Sequence, residues 1–566
     1  MKERDHIIED IEKWPISQFY QDREAKVQML GDELTKYMIE NHSETELIDI
    51  VNRTVYLEKL RVRTNPLKVD PPKEITYWKK MESELSKDQL SDDLSPQLHD
   101  KVRRISNRYA QEIVGDFRPK TFMFARKALT LLFGSLFNPF FAHNKKGLWG
   151  GKEAVLDKIK IVGPVDHIRK LFTKGSVLIL PTHSSNLDSI LVGYAIETLT
   201  GLPAFSYGAG LNLYDYEIMA YYMSRLGAYK VDRRKKNPIY AQAIRQFSRL
   251  SIEQNLNSIF FPGGTRSRGG EVESKVKLGL LSTLLEAQND FYGHNYDKKI
   301  IIVPLVISYH SVLEASSLIE QHLKKVGKQN YLSTKKQSKS SFKRVRFLRR
   351  LFGRGSDVTL SFGAPIDVFG HRLDEDGNSI KDGRMIDIKE YYQNNGTVSS
   401  DKQRNLVYTR NLGDELVRSY YQANVVLTSQ LITFVSFRLF CKHFIDIDLL
   451  NLVNMPVDLF ELEEQEVYVQ IATVLDRLKI IRDQGKVKLS EELDTLKIED
   501  IVKDGLKNLN IYHLRMPLYI KNGMFRSEDI KVLYFYANRL SGYDLDRFIH
   551  NRSKSVRSLK MTVDLM

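Results

Sequence analysis

Along the middle of the chain, short unbroken apolar runs alternate with longer stretches in which apolar residues recur every three to four positions. The runs fall at residues 177–180, 204–207, 228–231, 258–261, 300–307 and 358–362. Their length, β-branched content and flanking turn residues predict buried strands. Between them, stretches such as 189–196 and 238–255 carry a single apolar face, as helices packed on a sheet do. Pro238 suits a first helical turn, where a missing N–H leaves nothing unpaired. This alternation predicts an α/β domain over residues 155–370, with a largely parallel sheet flanked by helices.

The pattern changes on either side. Residues 1–154 read as a mainly helical, polar region, punctuated by Asn65-Pro66, Pro71-Pro72 and Ser95-Pro96 and closed by the glycine-rich stretch 145–151. Residues 371–401 read as a linker of turns. Asp374, Asp376 and Asn378 within it have the spacing of a calcium loop, but the glycine is misplaced and the closing glutamate is missing. Residues 402–566 read as a helical C-terminal domain, with 467–482 the clearest case. Two apolar stretches, 128–142 and 425–441, are the longest. Asn138-Pro139 breaks the first, and Ser429-Gln430 and Arg438 break the second, so neither reaches the roughly 18 residues of a spanning helix. The second is expected to be a buried core helix, whereas the first also suits a membrane interface.

Composition narrows the chemistry. One cysteine in 566 residues, Cys441, excludes an intrachain disulfide framework and any multi-cysteine metal site, and no metal is expected. The charged start MKERDHIIEDIEKW lacks the apolar core of a secretory signal. The net charge of +14 is concentrated: residues 321–356 hold twelve lysines and arginines and no acid. Within that run Phe342, Leu348, Leu351 and Phe352 recur at helical spacing beside Arg344, Arg346, Arg349 and Arg350. A basic amphipathic helix predicts an anionic membrane surface as partner, and its aromatic and aliphatic residues favour lipid over nucleic acid.

Four stretches follow directly on predicted strands, where ligands gather in open α/β sheets. The first is HSSNLD, His183 to Asp188. Were both residues helical, a spacing of five would set them about 140° apart on different faces. They can meet only if a helix starts between them, with Asn186 or a neighbour as its cap. The carboxylate could then hold one imidazole nitrogen and leave the other as a base. The second stretch is Asp232-Arg233-Arg234-Lys235-Lys236. The third runs Pro262-Gly263-Gly264-Thr265-Arg266-Ser267-Arg268-Gly269-Gly270. Its glycines permit close backbone approach, and its N–H groups, arginines and hydroxyls could cradle a phosphate. It is not a P-loop, because no Gly-Lys-Ser/Thr follows at the required spacing. The fourth is Val303-Pro304-Leu305-Val306-Ile307-Ser308-Tyr309. One base and several guanidinium groups at neighbouring strand ends suggest deprotonation of a hydroxyl on a phosphorylated substrate.

As a set, these stretches resemble the four blocks of the glycerophosphate acyltransferase superfamily. HSSNLD is similar to its H-x4-D block, GAYKVDR to the second, FPGGTRSR to the third and VPLVISY to the fourth. The fourth block and the helical extension after residue 402 look most like the large, membrane-associated glycerol-3-phosphate acyltransferases. One departure is Gly263, where the family usually has glutamate. The resemblance implies transfer of a fatty acyl group from an acyl-CoA or acyl-carrier-protein thioester to the sn-1 hydroxyl of glycerol 3-phosphate. No cofactor and no covalent acyl-enzyme are implied. His183 is then the general base and Asp188 its orienting partner. Arg233, Gly264, Thr265, Arg266 and Ser267 hold the phosphate, with Arg268 and Lys277 as further candidates, and Pro304 shapes the acyl side. Attachment is expected to be peripheral or monotopic, on the cytoplasmic face of a membrane. Acylation of lysophosphatidate shares every block, and dihydroxyacetone phosphate is another acceptor. A non-enzymatic membrane- or nucleic-acid-binding protein would account for the basic run but not for the four blocks.

Overall fold

The computed structural model describes residues 3–71, 73–88, 94–137, 158–211, 214, 217–296, 298–327, 357–444 and 447–550. Its centre is a seven-stranded sheet in the order β1-β7-β6-β2-β5-β3-β4. The strands are β1 (Ile159–Val162), β2 (Gly175–Pro181), β3 (Ser206–Gly210), β4 (Ala228–Val231), β5 (Ser258–Ile259), β6 (Lys299–Tyr309) and β7 (Val358–Phe362). From β6 to β4 every neighbouring pair is parallel. The exception is β7, which runs antiparallel to β6 and carries β1 parallel on its outer side.

The largely parallel sheet is therefore present, and its boundaries differ from the sequence reading for identifiable reasons. The run 177–180 predicts a strand that stops before proline, yet β2 runs through Pro181, paired with Leu305. Pro304 lies inside β6, as the run 300–307 implies, opposite Leu180, and its carbonyl accepts from the Gly363 N–H at 2.8 Å. β1 was not anticipated: its IKIV sequence alternates weakly and is completed only by pairing with β7.

Three further bodies pack on this sheet. The N-terminal helices Arg23–Glu40, Glu44–Thr64, Glu74–Asp88 and Leu94–Ile113 share one apolar core with the helix Pro238–Glu253, through Leu30, Trp78, Tyr109 and Phe247. Each large apolar side chain fully buried there contributes about 1.5–3 kcal/mol. The segment 371–401 is more ordered than a linker, with a three-stranded antiparallel sheet and a two-strand hairpin. Asp374 accepts from the N–H groups of Asp376 and Asn378, which makes its acidic cluster a turn. No group of metal-ligating side chains occurs among the described residues. In the C-terminal region the helix Thr428–His443 is buried on nearly all sides, as 425–441 suggests, and a three-stranded sheet accompanies the helices. Among the described residues no helix is long and apolar enough to cross a membrane. The basic segment 342–352 lies outside the described residues.

Candidate active site

The carboxyl ends of β6, β2, β5, β3 and β4 all open on one edge of the sheet, because these five strands are parallel. The chain passes from β5 to β6 across β2, so β2 stands at a topological switch point, where such folds bind ligands.

β2 delivers His183 to that edge. The turn after it is pinned to β6: the Thr182 N–H donates to the Leu305 carbonyl, and the Ile307 N–H to the Thr182 hydroxyl. The helix Asp188–Ala195 then starts at Asp188, with no side-chain cap from Leu187 before it. Asp188 instead folds back over the turn. Its Oδ2 accepts from His183 Nδ1 at 2.8 Å, from the Ser184 N–H at 2.6 Å and from the Ser185 N–H at 2.8 Å. Its Oδ1 accepts from the Tyr309 hydroxyl at 2.6 Å. Asp188 is 0% exposed, and charge-assisted contacts of this kind are about twice as strong as neutral ones.

Because Nδ1 donates to Asp188, Nε2 presents its lone pair. It has no hydrogen-bond partner among the described residues, and the side chain is 17% exposed. The ring leans on Phe261, with centroids 4.5 Å apart, which fixes its plane. The result is an oriented imidazole with one open basic nitrogen, the arrangement general-base catalysis needs.

Two carboxylates complete the turn. Glu273 accepts from the His183 N–H at 2.8 Å, and Glu314 accepts from the Asn186 N–H and the Ser185 hydroxyl, both at 3.0 Å. Four successive backbone N–H groups, from His183 to Asn186, thus end on carboxylates. Burial pushes the Glu273 carboxyl up to about 7. Burial and the nearby Asp188 hold the Tyr309 phenol well above its ordinary value.

The glycine-arginine loop after β5 lies against this turn. The Ser267 N–H donates to the His183 carbonyl at 2.7 Å, and the Ser267 hydroxyl accepts from the Gly270 N–H at 3.1 Å. Gly264 has φ +74°, and a Cβ there would meet the Lys277 side chain at 2.7 Å. The positive φ at 264 favours glycine, and the mobile end of the Lys277 side chain lies over the position. Arg266 extends toward Glu314, 3.7 Å away, which aims its guanidinium at the His183 turn. Thr265, Arg268 and Lys277 are exposed around the same opening.

The structure thus brings together His183, Asp188, Gly264, Arg266, Ser267 and Lys277. Arg233 follows β4, three strands from β2 or roughly 14 Å of sheet width, and is exposed. Its neighbour Arg234 is committed elsewhere, to Asp232 and Asp70. Pro304 is buried within β6. Sequence reasoning missed Tyr309, Glu273 and Glu314. Tyr309 ends the fourth block and could have been found there, but nothing in local spacing marks the two glutamates. Cys441 is no rival nucleophile, since burial pushes its thiol up to about 11.

Beside the site lies an apolar cavity of about 270 Å³. It begins at Ser189 and Ile190, next to Asp188, and runs between Leu129, Gly193, Phe205 and Met223.

Residues 162–308 are similar to a recognised class: they match the family model described as Acyltransferase. Within that superfamily its similarity falls among the glycerol-3-phosphate acyltransferases. It is 26% identical over 270 residues to the glycerol-3-phosphate acyltransferase of Alteromonas mediterranea, covering 47% of this chain and 28% of that protein. The Pseudoalteromonas atlantica protein of the same name is 26% identical over 273 residues, covering 48% of this chain and 29% of that protein. For the Ectopseudomonas mendocina one the values are 25% over 263 residues, 46% and 27%. The chain thus spans less than a third of the length of these relatives.

Proposed function

We propose that this protein is a glycerol-3-phosphate 1-O-acyltransferase. It transfers a fatty acyl group from an acyl-CoA or acyl-carrier-protein thioester to the sn-1 hydroxyl of glycerol 3-phosphate, the first acylation of phospholipid synthesis. The observation that carries this reading is the His183–Asp188 pair, with its open Nε2 beside the cationic loop of Arg266.

In the reaction, Nε2 removes the proton of the acceptor hydroxyl as its oxygen attacks the thioester carbonyl. The tetrahedral intermediate collapses with cleavage of the C–S bond, and the imidazolium returns its proton to the leaving thiolate. Asp188 keeps Nδ1 protonated and stabilises the positive ring. A positioned base of this kind contributes roughly a hundred- to ten-thousandfold. Arg266, the Ser267 region and Lys277 bind the phosphate, and Arg233 approaches it from the β4 side. The aliphatic part of the acyl chain occupies the apolar cavity along the helix Asp188–Ala195. The basic run 321–356 attaches the enzyme to an anionic membrane surface on the cytoplasmic face, where the lipid product is released.

The test is acyl transfer by the purified protein, with labelled glycerol 3-phosphate and each thioester in turn, against lysophosphatidate as the competing acceptor. Faster turnover of lysophosphatidate would move the assignment to the second acylation. No transfer to either acceptor would refute it.

A further inference from the structure

The third block carries a glycine, Gly263, where the resemblance leads one to expect glutamate. A Cβ built on Gly263 would meet the Glu273 carboxyl: Cδ and Oε2 at 2.7 Å and Oε1 at 2.8 Å. Those distances are too short for any side chain, so residue 263 must be glycine while Glu273 occupies this place. The carboxylate absent from position 263 has in effect been supplied from ten residues downstream.

Glu273 does not merely fill space. It is 9% exposed, and its Oε1 accepts from the His183 N–H at 2.8 Å. That N–H belongs to the residue whose Nε2 is the base, at the point where β2 ends. The loop that carries Gly263 also grips the opposite side of the same residue, through the Ser267 N–H on the His183 carbonyl. We propose that Glu273 is a positioning residue for the catalytic histidine, clamping the main chain of His183 from a slot that exists only because residue 263 lacks a side chain. The proposal rests on His183 being the base, and the experiment separates the two.

The surroundings fit a carboxyl placed for its acceptor rather than for an ion pair. Oε1 takes the His183 N–H, the Gly263 N–H acts on the carboxyl as a weaker donor, and no salt bridge within 4 Å reaches Glu273 among the described residues. The charged groups that act on it are Arg539, buried in the C-terminal region, and Asp188. Arg539 spends its donors on Asn424 and on the Ile307 carbonyl.

The test compares substitutions of similar volume. Glu273→Gln keeps an acceptor for the His183 N–H, whereas Glu273→Met keeps the length and removes it. The expected result is kcat within about threefold of the parent for Gln and at least about tenfold lower for Met, the loss of one hydrogen bond near 1.4 kcal/mol. KM for glycerol 3-phosphate and for the thioester should stay within about threefold in both. Gln removes the buried charge and keeps the acceptor, so above pH 7 it should melt no lower than the parent. Met also strands the His183 N–H, so its kcat is read at a temperature where its melting curve shows it folded. A Met variant with parental kcat overturns the proposal. The second arm tests the slot. Gly263→Glu alone should abolish turnover, and Gly263→Glu combined with Glu273→Ala should recover at least about tenfold over it. A double variant no better than Gly263→Glu overturns the reciprocity of the two positions. His183→Ala, run alongside, assigns any failure. If it retains turnover, the base is wrong; if it is inactive while Glu273→Met is unaffected, only the role of Glu273 falls.

Discussion

Replacing Asp188 by asparagine isolates its charge from its shape. The carboxylate receives three donors on Oδ2 and one, the Tyr309 hydroxyl, on Oδ1. An asparagine can turn its oxygen toward the three donors and its NH₂ toward Tyr309, whose hydroxyl can accept instead. The fold should therefore survive, with a melting temperature near the parent's. What disappears is the negative charge 2.8 Å from Nδ1 at the moment the ring becomes positive. Two unit charges about 4 Å apart interact by about 4 kcal/mol at an effective dielectric of 20. At 1.36 kcal/mol per factor of ten, that predicts a loss of about a thousandfold in kcat. KM for both substrates should stay within about threefold, because Asp188 is 0% exposed and cannot touch either. The assay is steady-state acyl transfer with melting curves in parallel. A folded Asp188→Asn protein within tenfold of the parental kcat would refute the mechanism. Asp188→Ala is a poor substitute, since it strands two buried N–H groups and the Tyr309 hydroxyl at about 1–3 kcal/mol each.

Periodicity made the sheet legible, because buried parallel strands leave continuous apolar runs and the helices between them leave single faces. The strand ends were less so. Proline at 181 looks like a breaker, yet it lies in β2, paired with Leu305 of β6. The H-x4-D spacing correctly implied a helix starting between His183 and Asp188. It did not reveal that Asp188 would serve as its own turn's acceptor instead of Asn186 capping the helix. Glu273 and Glu314 were invisible for a physical reason. They reach the turn from 90 and 128 residues away, and contacts that close only in three dimensions leave no local pattern. Arg233 and Arg234 were indistinguishable in sequence, and only packing shows that one is exposed and the other paired to two carboxylates.

Arg266→Ala and Arg233→Ala should each raise KM for glycerol 3-phosphate about ten- to hundredfold, as loss of a contact worth roughly 1.5–3 kcal/mol implies, and leave KM for the thioester unchanged. A collapse on the thioester side instead would mean the two substrates are assigned to the wrong sides. Changing Arg344, Arg346, Arg349 and Arg350 together to Glu should move the protein off anionic vesicles in a flotation assay, whereas 1 M salt should release the parent only partly, because apolar burial is not screened. Unaltered vesicle binding would shift suspicion to residues 128–142. Glu273 has its carboxyl raised from 4.5 to about 7 by burial, so its favourable contribution is complete below pH 4.5 and is lost as pH rises through 7. Glu273→Gln should therefore gain on the parent by about 3 kcal/mol between pH 4.5 and 8, and a stability difference that is flat with pH would refute this. The last prediction separates the adjacent arginines. Arg234 bonds Asp232 Oδ1 at 2.9 Å and Asp70 Oδ1 at 2.5 Å, and it shares Asp70 with Arg61, which also binds Glu58 and Glu74. Lys235 adds Glu112 at 2.5 Å, so the loop after β4 is riveted to the N-terminal helices by a largely buried ionic network. Burial alone would raise the Asp70 carboxyl, but Arg234, the Leu67 N–H and Arg61 together hold it down at about 2. A depressed carboxylate adds stability that is present above its ordinary value and lost as pH falls toward 2. Removing one partner from such a network costs about 3–5 kcal/mol, because the remaining charges stay buried without it. Arg234→Ala should accordingly melt well below the parent, with a smaller loss of stability on acidification than the parent shows between pH 4 and 2. Arg233→Ala should melt like the parent and fail only on the acceptor. If Arg234→Ala were as stable as the parent and weak only for glycerol 3-phosphate, Arg234 and not Arg233 would be the phosphate ligand, and the N-terminal helices would lose their assigned part in shaping that loop.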